Sequence, residues 1–160
     1  MRVERFMEIH FYEQALDSDL KFAVVAARVG EQWMFCRHRE RETWELPGGH
    51  REPGEDIFDT ARRELWEETG ATDCQLEPVA AYGIFQEGEE PSFGALFFAE
   101  IRELGERPSG FEMAENCFMD QLPEAMTYPE IQSALMKRVA TWLAEGNFQS
   151  EEDVLMELIF

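Results

Sequence analysis

Gly49-His50-Arg51-Glu52-Pro53-Gly54-Glu55-Asp56-Ile57-Phe58-Asp59-Thr60-Ala61-Arg62-Arg63-Glu64-Leu65-Trp66-Glu67-Glu68-Thr69-Gly70-Ala71 is the stretch on which the reading of this chain turns. Glu52 to Asp56 supplies a turn and acidic first-turn residues, and Gly70 follows the last periodic position, so a helix is expected from about Asp56 to Thr69. Ile57, Ala61, Glu64 and Glu68 stand at steps of four, three and four and share one face. Glu67 lies at the edge of that face, whereas Asp59, Arg62 and Trp66 point more nearly outward. A solvated acidic helix places its carboxylates opposite the apolar stripe, but here they border it. Like charges gathered there are costly to desolvate unless cations or Arg partners compensate. A site for a hard divalent cation such as Mg2+ or Mn2+ is the simplest compensation. Spacing alone leaves both readings open.

Upstream of the helix, Leu46-Pro47-Gly48-Gly49 reads as a loop built for close backbone approach, because Pro fixes φ and glycine tolerates crowding. Strand signals precede it: Phe6 to Tyr12, Phe22 to Val29, and Trp33 to Arg39, the last two joined at Gly30-Glu31 as a hairpin. Downstream, Pro78 to Phe85 and Phe93 to Ile101 read as strands flanking the acidic loop Gln86 to Pro91. A Gly/Pro-bearing stretch, Gly105 to Gly110, leads into Glu112 to Met119. Ile131, Leu135, Val139 and Leu143 predict a second helix from about Pro129 to Ala144. Strands and helices in this mixed order imply an α/β or α+β layered sandwich.

The chain has 160 residues, enough for one domain with a real core, and residues 1–160 are expected to form a single domain. A formal charge of −20 argues against tracking along a nucleic-acid polymer, since that binding depends on Lys and Arg displacing counterions. Cys36, Cys74 and Cys117 form no CxxC pair and are too few for a disulfide framework or a structural zinc site. They read as reduced, mostly buried thiols. With no membrane-length apolar run and no leader-like N-terminus, a cytoplasmic protein that does not enter membranes is expected.

Gly49, Glu55 and the run Arg63-Glu64-Leu65-Trp66-Glu67-Glu68-Thr69-Gly70-Ala71 together resemble an uninterrupted Nudix box, with Ala71 the one departure, where the family usually has a larger aliphatic residue. Trp44-Glu45-Leu46-Pro47-Gly48 resembles the approach to that box in MutT-type nucleoside triphosphate pyrophosphohydrolases. The resemblance implies a Nudix α/β/α sandwich, with a mixed sheet between helices, and metal-dependent attack of water on a diphosphate linkage. It implies that Glu64, Glu67 and Glu68 bind Mg2+ or Mn2+ with the carbonyl of Gly48, that Arg63 orients a neighbouring Glu, and that Glu55 supports the cluster. Nudix enzymes place the catalytic base either in the box or on a later loop. Glu112 occupies the segment where a loop glutamate is expected, and Glu115 is the near alternative. An exposed acidic loop is the other reading of both.

Arg37 and Arg39 could bind phosphate at the end of the second hairpin strand or simply be solvated there, and His38 lies on the opposite strand face. Trp44 could stack on a base, although aromatics on strands are usually core. His10, His38 and His50 are scattered, and no arrangement supports a covalent nucleophile. The apolar segment Val154 to Phe160, within the tail 147–160, should pack on its own domain, where Trp66 offers a surface, or form a dimer contact, so monomer and homodimer both stay open.

Signatures that mark ADP-ribose, dinucleoside polyphosphate and coenzyme A hydrolases are absent around Phe85 to Gly88 and from Cys36 to Leu46. A small nucleotide substrate is therefore expected, a nucleoside triphosphate first, including an oxidised one such as 8-oxo-(d)GTP. ADP-ribose or a nucleotide sugar is the alternative, and a non-catalytic Nudix-fold binding module is the reading from another class.

Overall fold

Apolar residues alternate along two central strands and divide the core into two halves. Strand β2 (Phe22–Val29) turns Ala23, Val25 and Ala27 to one side and Ala26 to the other. Strand β7 (Ser92–Leu104) does the same with Ala95, Phe97, Ala99 and Ile101 against Leu96 and Phe98. These two strands pair in parallel and are covered on both faces, which is why both are nearly continuous in apolar residues. Helix α1 (Ile57–Thr69) seals the first side with Ile57, Ala61 and Leu65, and helix α2 (Pro129–Ala144) the second with Leu135 and Val139. The result is the expected sandwich with a mixed sheet between helices. The computed structural model describes residues 7–111 and 113–149; Glu112 and the apolar segment after Gln149 lie outside the described residues.

The remaining strands are β1 (Met7–Tyr12), β3 (Gln32–His38), β4 (Trp44–Glu45), β5 (Gly48–His50), β6 (Ala71–Gln86) and β8 (Met113–Met119). They order as β1-β6-β7-β2-β3-β4, with β5 on β2 and β8 on β3. One edge of β2 is therefore shared. Its start pairs with β5, through Phe22–His50 to Val24–Gly48, and its end with β3, through Arg28–Trp33 and Val29–Gln32. The sheet forks there, and Gly48 and Gly49 sit in the fork.

Two elements extend beyond the strand signals in the sequence. Strand β6 starts at Ala71, not near Pro78, because its register against β7 shifts between Pro78 and Ala80. A bulge of this kind accommodates a residue without an N–H, so Pro78 interrupts the pattern without ending the strand. Strand β8 carries no clear alternation and exists through its pairing with β3, from Trp33–Met119 to His38–Met113. Trp66 remains 44% exposed with its ring edge-on to Phe111 at 6.2 Å. Cys36 is fully buried, while Cys74 and Cys117 are only partly so. Among the described residues no helix is long and apolar enough to cross a membrane.

Helix α1 is fixed at both ends. Asp56 caps its N-terminus by accepting from the Asp59 N–H, and the Asp59 side chain accepts from the Asp56 N–H in return. Gly70 ends it at φ 81°, and its carbonyl accepts from the Gly105 N–H at 2.8 Å. A Cβ on Gly70 would stand 2.6 Å from the Gly105 carbonyl oxygen. Gly70→Ala is therefore expected to cost more than about 1 kcal/mol of stability, read as a lowered urea midpoint. A wild-type midpoint would show that the Gly70–Gly105 junction yields freely.

Candidate active site

Helix α1 presents its carboxylates toward the fork in the sheet, and one cation gathers them. The Arg63 guanidinium donates from Nε and Nη2 to both oxygens of Glu55, at 2.7 and 3.0 Å. Its Nη1 donates to Glu64 at 2.7 Å and to Glu67 at 3.3 Å, and stands 3.6 Å from Glu52. Nη2 also reaches the His50 carbonyl at 2.9 Å, which ties the helix to β5. The rigid fork of arginine suits this task, since a lysine could not bridge so many acceptors in fixed directions. Arg63 and Glu55 are each mostly shielded from solvent, with side chains 19% and 16% exposed.

Glu68 is held separately. It is 6% exposed, accepts from the Gly48 N–H at 2.9 Å, and its backbone carbonyl accepts from the Asn116 amide at 3.0 Å. Gly49 leaves room for Glu64: a Cβ there would fall 2.4 Å from the Glu64 carboxylate. A Cβ on Gly48 would fall 2.5 Å from the Ala23 carbonyl oxygen. Both glycines are thus required by close approach, as the loop sequence predicts.

Burial pushes Glu64, Glu67 and Glu68 above the ordinary carboxylate range, Glu68 most of all. Arg63 opposes this at Glu64 and Glu67, and the Gly48 N–H opposes it at Glu68. The neighbouring charge of Glu64 pushes Glu68 further in the same upward direction. Glu55 moves the other way: the Arg63 hydrogen bonds hold it down to about 2, against a smaller opposing effect of burial. Four carboxylates, Glu52, Glu55, Glu64 and Glu67, thus surround one guanidinium, and Glu68 lies beside them on the Gly48 N–H.

That donor set fits a hard divalent cation, because carboxylate oxygens crowded beside a core are short of positive charge. Among the described residues no three His, Cys, Asp or Glu side chains already close around one cation position, since Glu64 and Glu67 are turned to Arg63. Cys36 donates weakly to the Glu68 carbonyl, and burial raises its thiol well above its usual range, so it is no nucleophile.

Two clefts meet at these carboxylates. One, of about 340 Å3, is lined by Glu52, Arg63, Glu64, Glu67, Glu68 and Phe111. The other, of about 710 Å3, runs between β5 and α2 and includes Glu64, Glu68, Gly48, His38, Tyr82 and Gln132. Arg37, Arg39 and Trp44 line neither. Arg37 pairs with Glu115 at 2.6 Å and donates to the Arg41 carbonyl, Arg39 donates to the Phe111 carbonyl, and Trp44 packs half-buried against the second core. Through β8, Glu115 therefore meets Arg37 across the strand pair, and not the Arg63 cluster.

Asn116, Tyr82 and Gln132 went unmarked in the sequence reading. Gln132 had a legible signal: a polar residue three before Leu135 and seven before Val139, on the buried stripe of α2. Asn116 had none, because only the β3–β8 pairing brings it to Glu68.

The NUDIX domain model matches residues 19–139, and the chain belongs to that family. A Bacillus subtilis protein, YtkD, provisionally named an 8-oxo-dGTP diphosphatase, is 30% identical over 131 residues, 82% of each chain. An RNA pyrophosphohydrolase of Bartonella henselae is 32% identical over 77 residues, 46% of this chain and 44% of that one. The solved Bacillus subtilis pyrophosphohydrolase BsRppH superimposes with a TM-score of 0.75 at 25% identity, covering 90% of this chain and 98% of the other. This protein is thus a Nudix hydrolase, acting on phosphorus-containing anhydrides.

The Arg63–Glu55 pair sets a pH dependence. Its folded-state carboxyl titrates near 2 against an ordinary 4.5, so its contribution is complete above about 4.5 and fades as pH falls toward 2. It should be worth on the order of 2 kcal/mol at neutral pH, after allowance for solvent screening. With chelator present, the stability gap between wild type and Glu55→Gln, read from urea midpoints, should narrow from pH 5 to pH 3. A gap that stays constant across that range would refute the assignment.

Proposed function

We propose that this chain hydrolyses a nucleoside triphosphate, including an oxidised one such as 8-oxo-(d)GTP, at a diphosphate linkage to give a monophosphate and pyrophosphate. The observation that carries the reading is the carboxylate cluster on α1, organised by Arg63 and open to a cleft large enough for a nucleotide. Glu64, Glu67 and Glu68, with the Gly48 carbonyl, would hold Mg2+ or Mn2+, and Glu55 acts through Arg63 to fix the cluster. Bound divalent metal supplies charge neutralisation at the phosphoryl oxygens and lowers the pKa of water.

The chain's own groups do the rest. Arg63 keeps Glu64 and Glu67 oriented and prevents their mutual repulsion from dispersing them. The Gly48 N–H and the Asn116 amide hold Glu68 from either side of its residue. Glu112 is proposed as the base that takes the proton of the attacking water, because it follows Phe111, which lines the smaller cleft. Glu115, engaged by Arg37, is the weaker candidate.

The similarity to YtkD supports a triphosphate substrate, and the missing downstream signatures weigh against ADP-ribose and dinucleoside polyphosphates. A small nucleotide is favoured over an RNA chain, despite the RNA pyrophosphohydrolase relative, by the formal charge of −20.

A panel of nucleoside triphosphates, ADP-ribose and nucleotide sugars with Mg2+ or Mn2+ tests the reading by its products. Monophosphate plus pyrophosphate from triphosphates is expected, whereas two phosphorylated halves from a sugar compound would replace the assignment. Glu67→Gln should lower kcat by about 100-fold or more. Folded wild-type protein that hydrolyses nothing in the panel would favour the binding-module reading. Separately, Glu112→Gln should lower kcat far more than it raises KM, and an unchanged kcat would remove it from the chemistry.

A further inference from the structure

The turn that delivers Glu55 to Arg63 is pinned at both ends by one distant residue. Asp17 opens a short 3-10 turn, Asp17–Asp19, ahead of β2. Its Oδ1 accepts from the Ile57 N–H, the first of α1, at 3.0 Å. Its Oδ2 pairs with the Arg51 guanidinium, and its own carbonyl accepts from Arg51 Nη1 at 2.8 Å. Arg51 and Ile57 bound the turn, so both of its ends converge on Asp17, which lies 34 and 40 positions from them.

Between those ends the chain closes on itself. The Glu55 N–H donates to the Glu52 carbonyl at 3.2 Å, and the Glu52 N–H donates to Glu55 Oε1 at 2.9 Å. Held this way, Glu55 meets Arg63 with both oxygens, and Glu52 stands 3.6 Å from the same guanidinium. Asp17 is therefore the outermost link of a series of contacts that runs through Glu55 and Arg63 to Glu64 and Glu67.

Asp17 is itself anchored. Leu20 is 7% exposed in the core beneath α1, the Lys21 N–H donates to the Phe93 carbonyl at 2.9 Å, and the Lys21 carbonyl accepts from the Arg51 N–H at 2.8 Å. Stability alone does not account for the Asp17 contacts. The helix already has a local cap in Asp56 and Asp59, and an ion pair with a half-exposed partner such as Asp17 contributes little. Arg51 also bears a cost in this pose: its Nε is buried with no hydrogen-bond partner among the described residues. What the arrangement supplies is a fixed position for the turn, on the wall of the larger cleft that Arg51 lines.

We infer that Asp17 is a positioning residue for the carboxylate cluster: by clamping Arg51 and the Ile57 N–H it fixes the turn that carries Glu55, and so the guanidinium that orients Glu64 and Glu67. The family match begins at residue 19, so membership implies nothing about Asp17. The inference rests on the reading of the cluster as a divalent-metal site and adds a residue outside it.

Asp17→Ala removes both side-chain contacts. Mn2+ binding to the nucleotide-free protein, by calorimetry, should weaken about fivefold or more. Asp17→Asn keeps an oxygen for the Ile57 N–H and loses the charge toward Arg51, so its affinity should fall between wild type and Asp17→Ala. Partial unfolding lowers the number of binding sites and not the affinity of those that remain, which separates positioning from lost stability. In a Glu55→Ala background, Asp17→Ala should add less than about twofold, because its effect passes through Glu55. Wild-type Mn2+ affinity in Asp17→Ala would overturn the inference and leave the proposed function standing, as would an undiminished effect in the Glu55→Ala background. Weakened Mn2+ binding in a protein that hydrolyses no triphosphate would sustain the positioning role while refuting the proposed function.

Discussion

The site depends on a single guanidinium. Arg63 is the cation that gathers Glu64 and Glu67 of α1 with Glu55 of the preceding turn, and its bond to the His50 carbonyl anchors the helix to β5. Without it, the carboxylates would repel one another and turn to solvent, because burial already disfavours their charged forms. The opposite displacements of Glu55 and Glu68 follow from the same geography. Glu55 lies against Arg63 and stays ionised, while Glu68 lies behind, reached by one N–H. The cluster is thus graded from a fully paired end to an under-compensated end, and the under-compensated end faces the larger cleft.

The rest of the architecture serves that arrangement. Small residues along β2 and α1, Ala23, Ala27 and Ala61 among them, bring the helix down onto the sheet. The fork at the β2 edge brings Gly48 and Gly49 beneath the helix, where anything larger than hydrogen would strike Glu64 or the Ala23 carbonyl. Fold and chemistry meet in that clearance. It explains why two adjacent glycines occur where an ordinary strand would carry side chains to pack.

Much of this was legible in the residues. The spacing of Ile57, Ala61, Glu64 and Glu68 placed carboxylates beside the core, and Gly70 marked the helix end, because helical periodicity and left-handed caps depend on local geometry alone. The α2 boundaries followed from the same logic. Strand β6 was only half legible, since a bulge at Pro78 is set by the partner strand. Strand β8 was scarcely legible, since its residues form a strand only against β3.

The sequence by itself determined the reaction class, because the carboxylates and their arginine are packed into one continuous segment whose spacing a helix converts directly into a shared face. Only the tertiary structure decided which other residues meet that face. It drew Arg37 to Glu115 and Arg39 to the Phe111 carbonyl, and it brought Gln132 and Tyr82, fifty residues apart in the chain, into one cleft beside Glu68. Contacts of that separation arise from the order of strands and the packing of α2 across them, and no local pattern encodes them.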